Sequence, residues 1–498
     1  NAQELAISQE RAWVNIKNVF ATDAFGDIPS GNVGEFLKFA PGVLVSYGTY
    51  GGANEGVSES DATGVSVRGF GPADTAIMIV GMPVSNAFPG TLTRQVGLDM
   101  LSINNASRIE ITKVPTPDMP ANSIGGQVNL ITKSAFEYAK PTFNWDVFLT
   151  ANEDHLDFKK TPGPTDKSTF KMSPSGQISY VRPVNDKFGF TVTAAYVREF
   201  DANYRAQPTW ATAAITTPTT IEEATERHRA SQSNPWLARF QVTDSPRFST
   251  RISGNVKADW RPFPGSMLTA NLQLSTYDSE EAQRSLRFDA SGTGNAVGAS
   301  AQPTAWGPTF VTGQANNNTP RVAMKALTRD KTGDTTSGNL IYSFRKAPWS
   351  IDAAASMSVS NGEMQDRDNG HFSEVEAILG GSGSQQIRVE FDGISDGVPG
   401  SINVYSGGGS GPEIDYTRLD SWRLTGLAAK SGEQKSKDTT TVYKLDVRRE
   451  LDFLPGTEHY NLAPKVGARR DEKETEKSGR GTGYAESLAP NRSIALAD

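Results

Sequence analysis

The stretch Arg251-Ile252-Ser253-Gly254-Asn255-Val256-Lys257-Ala258-Asp259-Trp260, the turn Arg261-Pro262-Phe263-Pro264-Gly265 and the return arm Leu268-Thr269-Ala270-Asn271-Leu272-Gln273-Leu274-Ser275 decide the fold. In both arms apolar residues alternate with strongly polar ones. A period of two is the signature of a strand with one apolar and one polar face. Strands of globular proteins average about five or six residues, whereas a tilted bilayer crossing needs about 9–11. Working outward, the pattern recurs in Phe188, Phe190, Val192, Ala194 and Tyr196, in Trp349, Ile351, Ala353, Ala355, Met357 and Val359, and in Tyr443, Leu445, Val447, Leu451 and Phe453. The connections are unequal. Segments 182–186, 261–265 and 454–457 read as tight turns, and 201–236, 289–320 and 362–436 as long loops rich in Gly, Ser, Asn and Pro. Short turns at one end and long loops at the other suit an antiparallel transmembrane barrel. A soluble β-sandwich or a secreted adhesin also alternates, because its exposed face is polar.

Composition narrows the function classes. The 498 residues carry 49 Lys+Arg against 56 Asp+Glu, a net charge of -7, which argues against a nucleic-acid-binding stripe. Cysteine is absent, so thiolate metal sites, disulfides and a cysteine nucleophile are excluded. The four histidines, His155, His228, His371 and His459, are too far apart for an HExxH-type zinc motif. Mean hydropathy is -0.45. No apolar run approaches the length of a spanning helix, and no basic-then-apolar leader opens at Asn1. Low mean hydropathy is compatible with a barrel, whose signal lies in alternation.

Residues 1 to about 134 read differently, as a compact mixed domain. Asn32 caps a short helix, with Glu35 in the reciprocal capping position and Val33, Phe36, Leu37 and Phe39 on an apolar face. Short glycine-punctuated strands follow: Val65-Ser66-Val67-Arg68-Gly69-Phe70, Ile77-Met78-Ile79-Val80-Gly81-Met82-Pro83, Ser107-Arg108-Ile109-Glu110-Ile111, and Gly125-Gly126-Gln127-Val128-Asn129-Leu130-Ile131-Thr132. These four motifs, in this order, and the helix running to Pro41-Gly42-Val43, resemble the plug domain of TonB-dependent outer-membrane receptors. The resemblance covers the first quarter of the chain. The segment Pro115-Thr116-Pro117 is similar to a large Gram-negative branch, some of whose members take up carbohydrates.

The resemblance implies a plug (1–134) folded inside a barrel whose wall begins at about 135, with about 22 strands in such transporters. It implies the Gram-negative outer membrane, contact with its lipid, and active import of a scarce bulky ligand, a siderophore, haem, cobalamin or oligosaccharide. No cofactor, metal or nucleic acid is implied. Energy would come from the TonB complex, which grips a segment near the N-terminus by strand addition. No such segment is evident in Asn1 to Val19, so it is expected upstream, and Val80 stands where the family usually has Asp. The residue count after the plug is short for such a wall, so further strands are expected beyond Asp498.

In the family, plug arginines pair with carboxylates of the wall, a role carried over to Arg68 and Arg108, and with them Glu110; each also reads as a solvated strand-end charge. Gly69, Gly81, Gly125 and Gly126 read as plug turns rather than a phosphate loop, since no GxGxxG spacing is present. Loops 46–60 and 85–94 would reach the ligand, with Tyr47, Tyr50, Phe88 and Arg94 as contacts; packing of plug against wall is the plainer reading. Asp366, Asp368, Glu374 and Glu376 have oxygen ligands for calcium but no EF-hand spacing, and a solvated loop accounts for them. The run Arg469-Arg470-Asp471-Glu472-Lys473-Glu474 reads as solvent-facing strand or loop. No nucleophile elbow or metal-ligand spacing points to an enzyme. A non-transporting adhesin or glycan binder is the alternative function, and it has no need of plug motifs.

Overall fold

The computed structural model describes residues 17–22, 32–50, 57–87, 95–98, 101, 106–116, 119–120, 122–156, 158, 160–162, 168–211, 235–290, 303–313, 321–365, 372, 374–380, 386–453 and 460–484. The plug comprises β1 (Lys17–Ala21), α1 (Val33–Leu37), β2 (Val43–Tyr50), β3 (Val57–Val67), β4 (Thr75–Ile79), β5 (Met82–Pro83), β6 (Ala106–Thr112) and β7 (Gly126–Thr132). Five of these strands form a sheet in the order β1-β6-β7-β4-β5, and β2 pairs with β3. Val33, Phe36, Leu37, Ile77, Ile79, Ile109, Ile111, Val128 and Leu130 pack into its core.

Asn32 Oδ1 caps α1 by accepting from Gly34 N at 2.7 Å. Glu35, expected to reach back to the cap, instead accepts from Lys38 Nζ at 2.7 Å, a charge-assisted bond one turn on. Phe39, expected on the apolar face, is exposed beyond the helix end. β4 and β5 are joined by Val80-Gly81, with φ of 52° and 80°. Such a turn favours Asn-Gly or Asp-Gly, and a β-branched residue in the left-handed region is an outlier. Replacing Val80 with Asn is expected to raise stability by about 1 kcal/mol. A fall in the thermal midpoint would mean that the packing of Val80 on the plug core outweighs the backbone strain.

The later strands are β8 (Thr142–Thr150), β9 (Lys160–Pro162), β10 (Ser168–Phe170), β11 (Ser173–Pro183), β12 (Phe188–Ala211), β13 (Trp236–Trp260), β14 (Ser266–Asp289), β15 (Ala305–Gly307), β16 (Phe310–Thr312) and β17 (Arg321–Lys346). There follow β18 (Trp349–Gln365), β19 (Glu374–Leu379), β20 (Ile387–Asp392), β21 (Ser401–Ser406), β22 (Arg423–Arg449), β23 (Leu451–Phe453), β24 (Tyr460–Leu462) and β25 (Lys465–Tyr484). Ten form one antiparallel wall from β8 through β11, β12, β13, β14 and β17 to β22 and β25. Between β17 and β22, β18 fills the lower half and β19 the upper. Among the described residues, no pairing joins β8 to β25.

The two faces of the wall invert the rule for soluble proteins. Ile252, Val256, Trp260, Leu272, Leu274, Leu340, Met357, Tyr443 and Leu445 are exposed, while Asn255, Lys257, Asp259, Asn271, Gln273, Ser358, Asp438 and Asp446 are buried. The expected parity is therefore present, with Thr191 inward beside half-buried Phe190 and Val192. Asp352 shares the inward parity, directly opposite Asp446 near the start of β18, where Arg345 holds its carboxylate at 2.6 Å. At the short-turn end aromatic rings form a girdle. Phe143 lies 6.4 Å from Tyr180, Tyr180 5.9 Å from Phe190, and Phe263 6.1 Å from Phe344. Aromatic girdles mark the membrane interface of such barrels. Replacing Leu272 with Arg is expected to cost about 2–4 kcal/mol in lipid vesicles, against about 0–1 for Thr276→Arg above the apolar band. Equal urea midpoints for the two variants would contradict this facing.

Among the described residues, the segments expected as long loops carry regular strands. Strands run up to 27 residues, far past a bilayer crossing. The segment taken as loop 201–236 contains the end of β12, and 289–320 contains β15 and β16. The segment 362–436 holds β19, β20 and β21. The sheet β15-β16-β20-β21 covers the outward side of the upper wall. There Phe240, Phe288, Val322 and Leu379 have outward parity yet are buried against Val311, Ile387, Val389, Phe391 and Val404.

Candidate functional site

The candidate functional surface is the contact between the plug and the inward face of the wall. Lys257 Nζ donates to the Thr132 carbonyl at 3.3 Å, and Ser134 Oγ to Asp259 Oδ2 at 2.6 Å. Lys133 Nζ reaches Ser179 Oγ at 3.2 Å. On the far side Ser85 N donates to Ser358 Oγ at 3.0 Å, Asn86 N to Asp438 Oδ2 at 2.9 Å, and Ala87 N to Ser360 Oγ at 3.2 Å. These contacts are spread over β11, β13, β18 and β22, so the wall curls round the plug. A polar inward face suits this contact, because the buried plug donors Ser85 N, Asn86 N and Ala87 N find acceptors on it.

The three charges expected to anchor the plug do not all meet the wall. Arg68, at φ 56°, has its guanidinium 5.7 Å from the Phe70 ring centroid and donates weakly to the Gly125 carbonyl at 3.5 Å. Both partners are in the plug, because the left-handed turn aims the side chain back along its own domain. Glu110 is a buried hub. It holds Lys17 Nζ in a very short ion pair, Arg108 Nε at 3.3 Å and Asn129 Nδ2 at 3.5 Å. Arg108 also reaches Glu137 at 3.3 Å, in the turn that leads from the plug into the wall. The sequence missed Lys17, Asp259, Ser358, Ser360 and Asp438. For Asp259, Ser358, Ser360 and Asp438 the only signal was the inward parity of wall polar residues, which does not say which of them touch the plug.

Gly69 and Gly81 sit at positive φ in open turns. Gly125 and Gly126 are needed for close packing before β7: a Cβ on Gly125 would lie 2.6 Å from Phe70 Cβ, and one on Gly126 2.8 Å from the Thr112 carbonyl. Tyr47 is about half exposed on β2. The Tyr50 side chain, Phe88 and Arg94 lie outside the described residues. So do Asp366 and Asp368, while Glu374 binds Lys430 at 2.7 Å and Lys325 at 3.6 Å. Burial opposes ionisation of Glu374, yet the two ammonium groups hold its carboxyl below the usual range.

Above the plug, the inward face carries ion pairs invisible to motif reading. Arg239 meets Asp289 at 2.6 Å, Arg247 meets Asp201 at 2.6 Å, and Arg251 meets Glu199 at 3.2 Å. Tyr277 lies between Arg251 and Lys331, 5.0 and 5.6 Å from its ring. This lining is charged, hydrogen-bonding and aromatic at once. Among the described residues, no helix is long and apolar enough to cross a membrane.

No curated protein matches the sequence. Among solved structures, the ferric enterobactin receptor PfeA of Pseudomonas aeruginosa shares 11% identity over 88% of this chain and 63% of its own, with a TM-score of 0.33. The siderophore receptor PirA of Acinetobacter baumannii shares 10% identity over 95% of this chain and 78% of its own, with a TM-score of 0.31. The chain thus spans less than two thirds of the PfeA chain. Residues 14–127 match the family model of the TonB-dependent receptor plug domain. Seated against a wall that is polar inside and apolar outside, residues 14–127 of the chain are a TonB-dependent receptor plug domain.

Proposed function

We propose that the protein is a Gram-negative outer-membrane transporter that imports a scarce bulky ligand, of carbohydrate or ferric-siderophore class, using energy delivered through TonB. The observation that carries this reading is the plug itself, hydrogen-bonded across the inward face of a lipid-compatible wall. A plug in that position serves a gated import path and has no use in an adhesin. Residues 1–134 act as the plug and 135–498 as wall and outer loops. Tyr47, Tyr50, Phe88 and Arg94 touch ligand from the plug apex, where rings can stack on sugars or catecholates. Arg108 links plug to wall through Glu137. The charged lining above suits a polar ligand. The test offers labelled ferric siderophores and a set of oligosaccharides to cells with and without the protein. Uptake of one class, abolished by deleting TonB, supports the proposal. Uptake that persists without TonB, or uptake of neither class, refutes it.

A further inference from the structure

Plug residues 84–87 leave β5 and cross the inward face of β18 and β22. Backbone N–H groups make most of this contact from the plug side, at Ser85, Asn86 and Ala87, while Ser85 Oγ adds a bond to the Ser358 carbonyl at 2.7 Å. The wall answers with the side chains of Ser358, Asp438 and Ser360. Backbone donors are the same whatever residues the loop carries, so the wall side chains define the seat. Asp438 is its only charged member, and it is completely buried.

A carboxylate out of water needs a counter-charge as well as hydrogen bonds. Asp438 takes both from the next strand. Thr475 Oγ1 donates to its Oδ1 at 2.7 Å, and Lys473 Nζ lies 3.1 Å from its Oδ2. Oδ2 therefore accepts from the plug and faces a β25 ammonium at the same time. This gives a role to part of the charged run 469–474, whose sequence alone reads as surface. The ladder sets Asp438 directly opposite Thr475, and Thr440 opposite Lys473, so Lys473 reaches the carboxylate from a neighbouring rung of β25.

We propose that Asp438 is a positioning residue that seats plug residues 85–87, and that Lys473 is its required counter-charge, so that docking of the plug and pairing of β25 with β22 are one coupled event. The inference rests on the seating geometry alone and holds whatever ligand is imported. Without Lys473 the carboxylate keeps the Thr475 hydroxyl and backbone dipoles but loses its closest ammonium, leaving only the field of Lys477, which loosens the plug. Without the charge at Asp438, Lys473 is no longer needed, because an amide oxygen still accepts from Asn86 N.

The test places the full chain in planar bilayers and titrates urea against potassium chloride conductance, which reports release of the plug. Lys473→Gln is expected to lower the opening midpoint by roughly 1 M. Asp438→Asn should shift it less, and the double variant should match Asp438→Asn. Lys473→Arg, which keeps the charge, should stay near wild type and guards against a glutamine variant that fails to fold. Asp446→Asn is the control: this buried acid on β22 pairs with Lys444 and Lys465. Hydrogen exchange at residues 85–87 should quicken in Lys473→Gln and not in Asp446→Asn. Additive shifts in the double variant, or an Asp446→Asn shift as large as that of Lys473→Gln, would overturn the proposal.

Discussion

Replacing Trp236 with alanine is expected to destabilise the upper wall by about 3–5 kcal/mol, the range for a large aromatic lost from a packed core. Trp236 is fully buried, with its ring centroid 5.5 Å from that of Trp306 in β15. It sits where the top of β13 meets the outer sheet, beside Leu237, Phe240 and Phe391. The neighbours are held by strand pairing and cannot collapse into the space, so the cavity persists. The loss should be regional, because this core shares no member with the plug core. Hydrogen exchange resolved by peptide is the measurement. Amides of β16 and β20 should exchange faster, and those of β6 and β7 should not. Equal acceleration in the plug would show that the two cores unfold as one.

Removing the carboxylate of Glu110, as Glu110→Ala, is expected to cost about 3–5 kcal/mol, because breaking a buried ion pair leaves charge in a poor solvent. Lys17 and Glu110 are both nearly inaccessible, and Arg108 and Asn129 converge on the same carboxylate. The pair spans two strands, with Val19 directly opposite Glu110 and Lys17 opposite Thr112. It therefore fastens β1, the edge of the plug sheet, to β6. Exchange of the β1 amides should speed up by about 10²- to 10⁴-fold, at 1.36 kcal/mol per decade. Glu110→Gln should lie between, since it keeps two hydrogen bonds without the charge. An unchanged β1 would mean that its backbone ladder alone holds it.

The residues themselves explain which parts of this fold were readable. From Ile252 to Leu274 lipid lies on one side and the lumen on the other, so every second residue must differ and the strands were plain. Higher up, in Arg198-Glu199-Phe200-Asp201-Ala202-Asn203, the lipid constraint is gone and alternation of hydropathy fades, although the backbone stays extended through Ala211. That is why the upper parts of β12 and β22 read as loop. The outer sheet was hidden for a related reason. Its apolar residues, such as Val311, Val389 and Phe391, come in short strands whose shared core is assembled from segments far apart in the chain. In the plug, the order of the motifs was legible because β3 and β4 end in turns at Gly69 and Gly81 and β7 begins at Gly125-Gly126. The partners of Arg68 were not, since a positive φ at a non-glycine residue is invisible in sequence and decides where the side chain points.

The outer sheet has a consequence for how such a molecule can drift. It hangs on the outside of the upper wall and rests on a hydrophobic nucleus that the plug does not share. Substitutions at exposed positions of this sheet, such as Ser401 and Phe310, can accumulate without disturbing the seat of the plug at Ser358, Asp438 and Ser360, which lies on the opposite face of the wall. The outer sheet is thus free to change quickly, while the plug seat on the opposite face is held still.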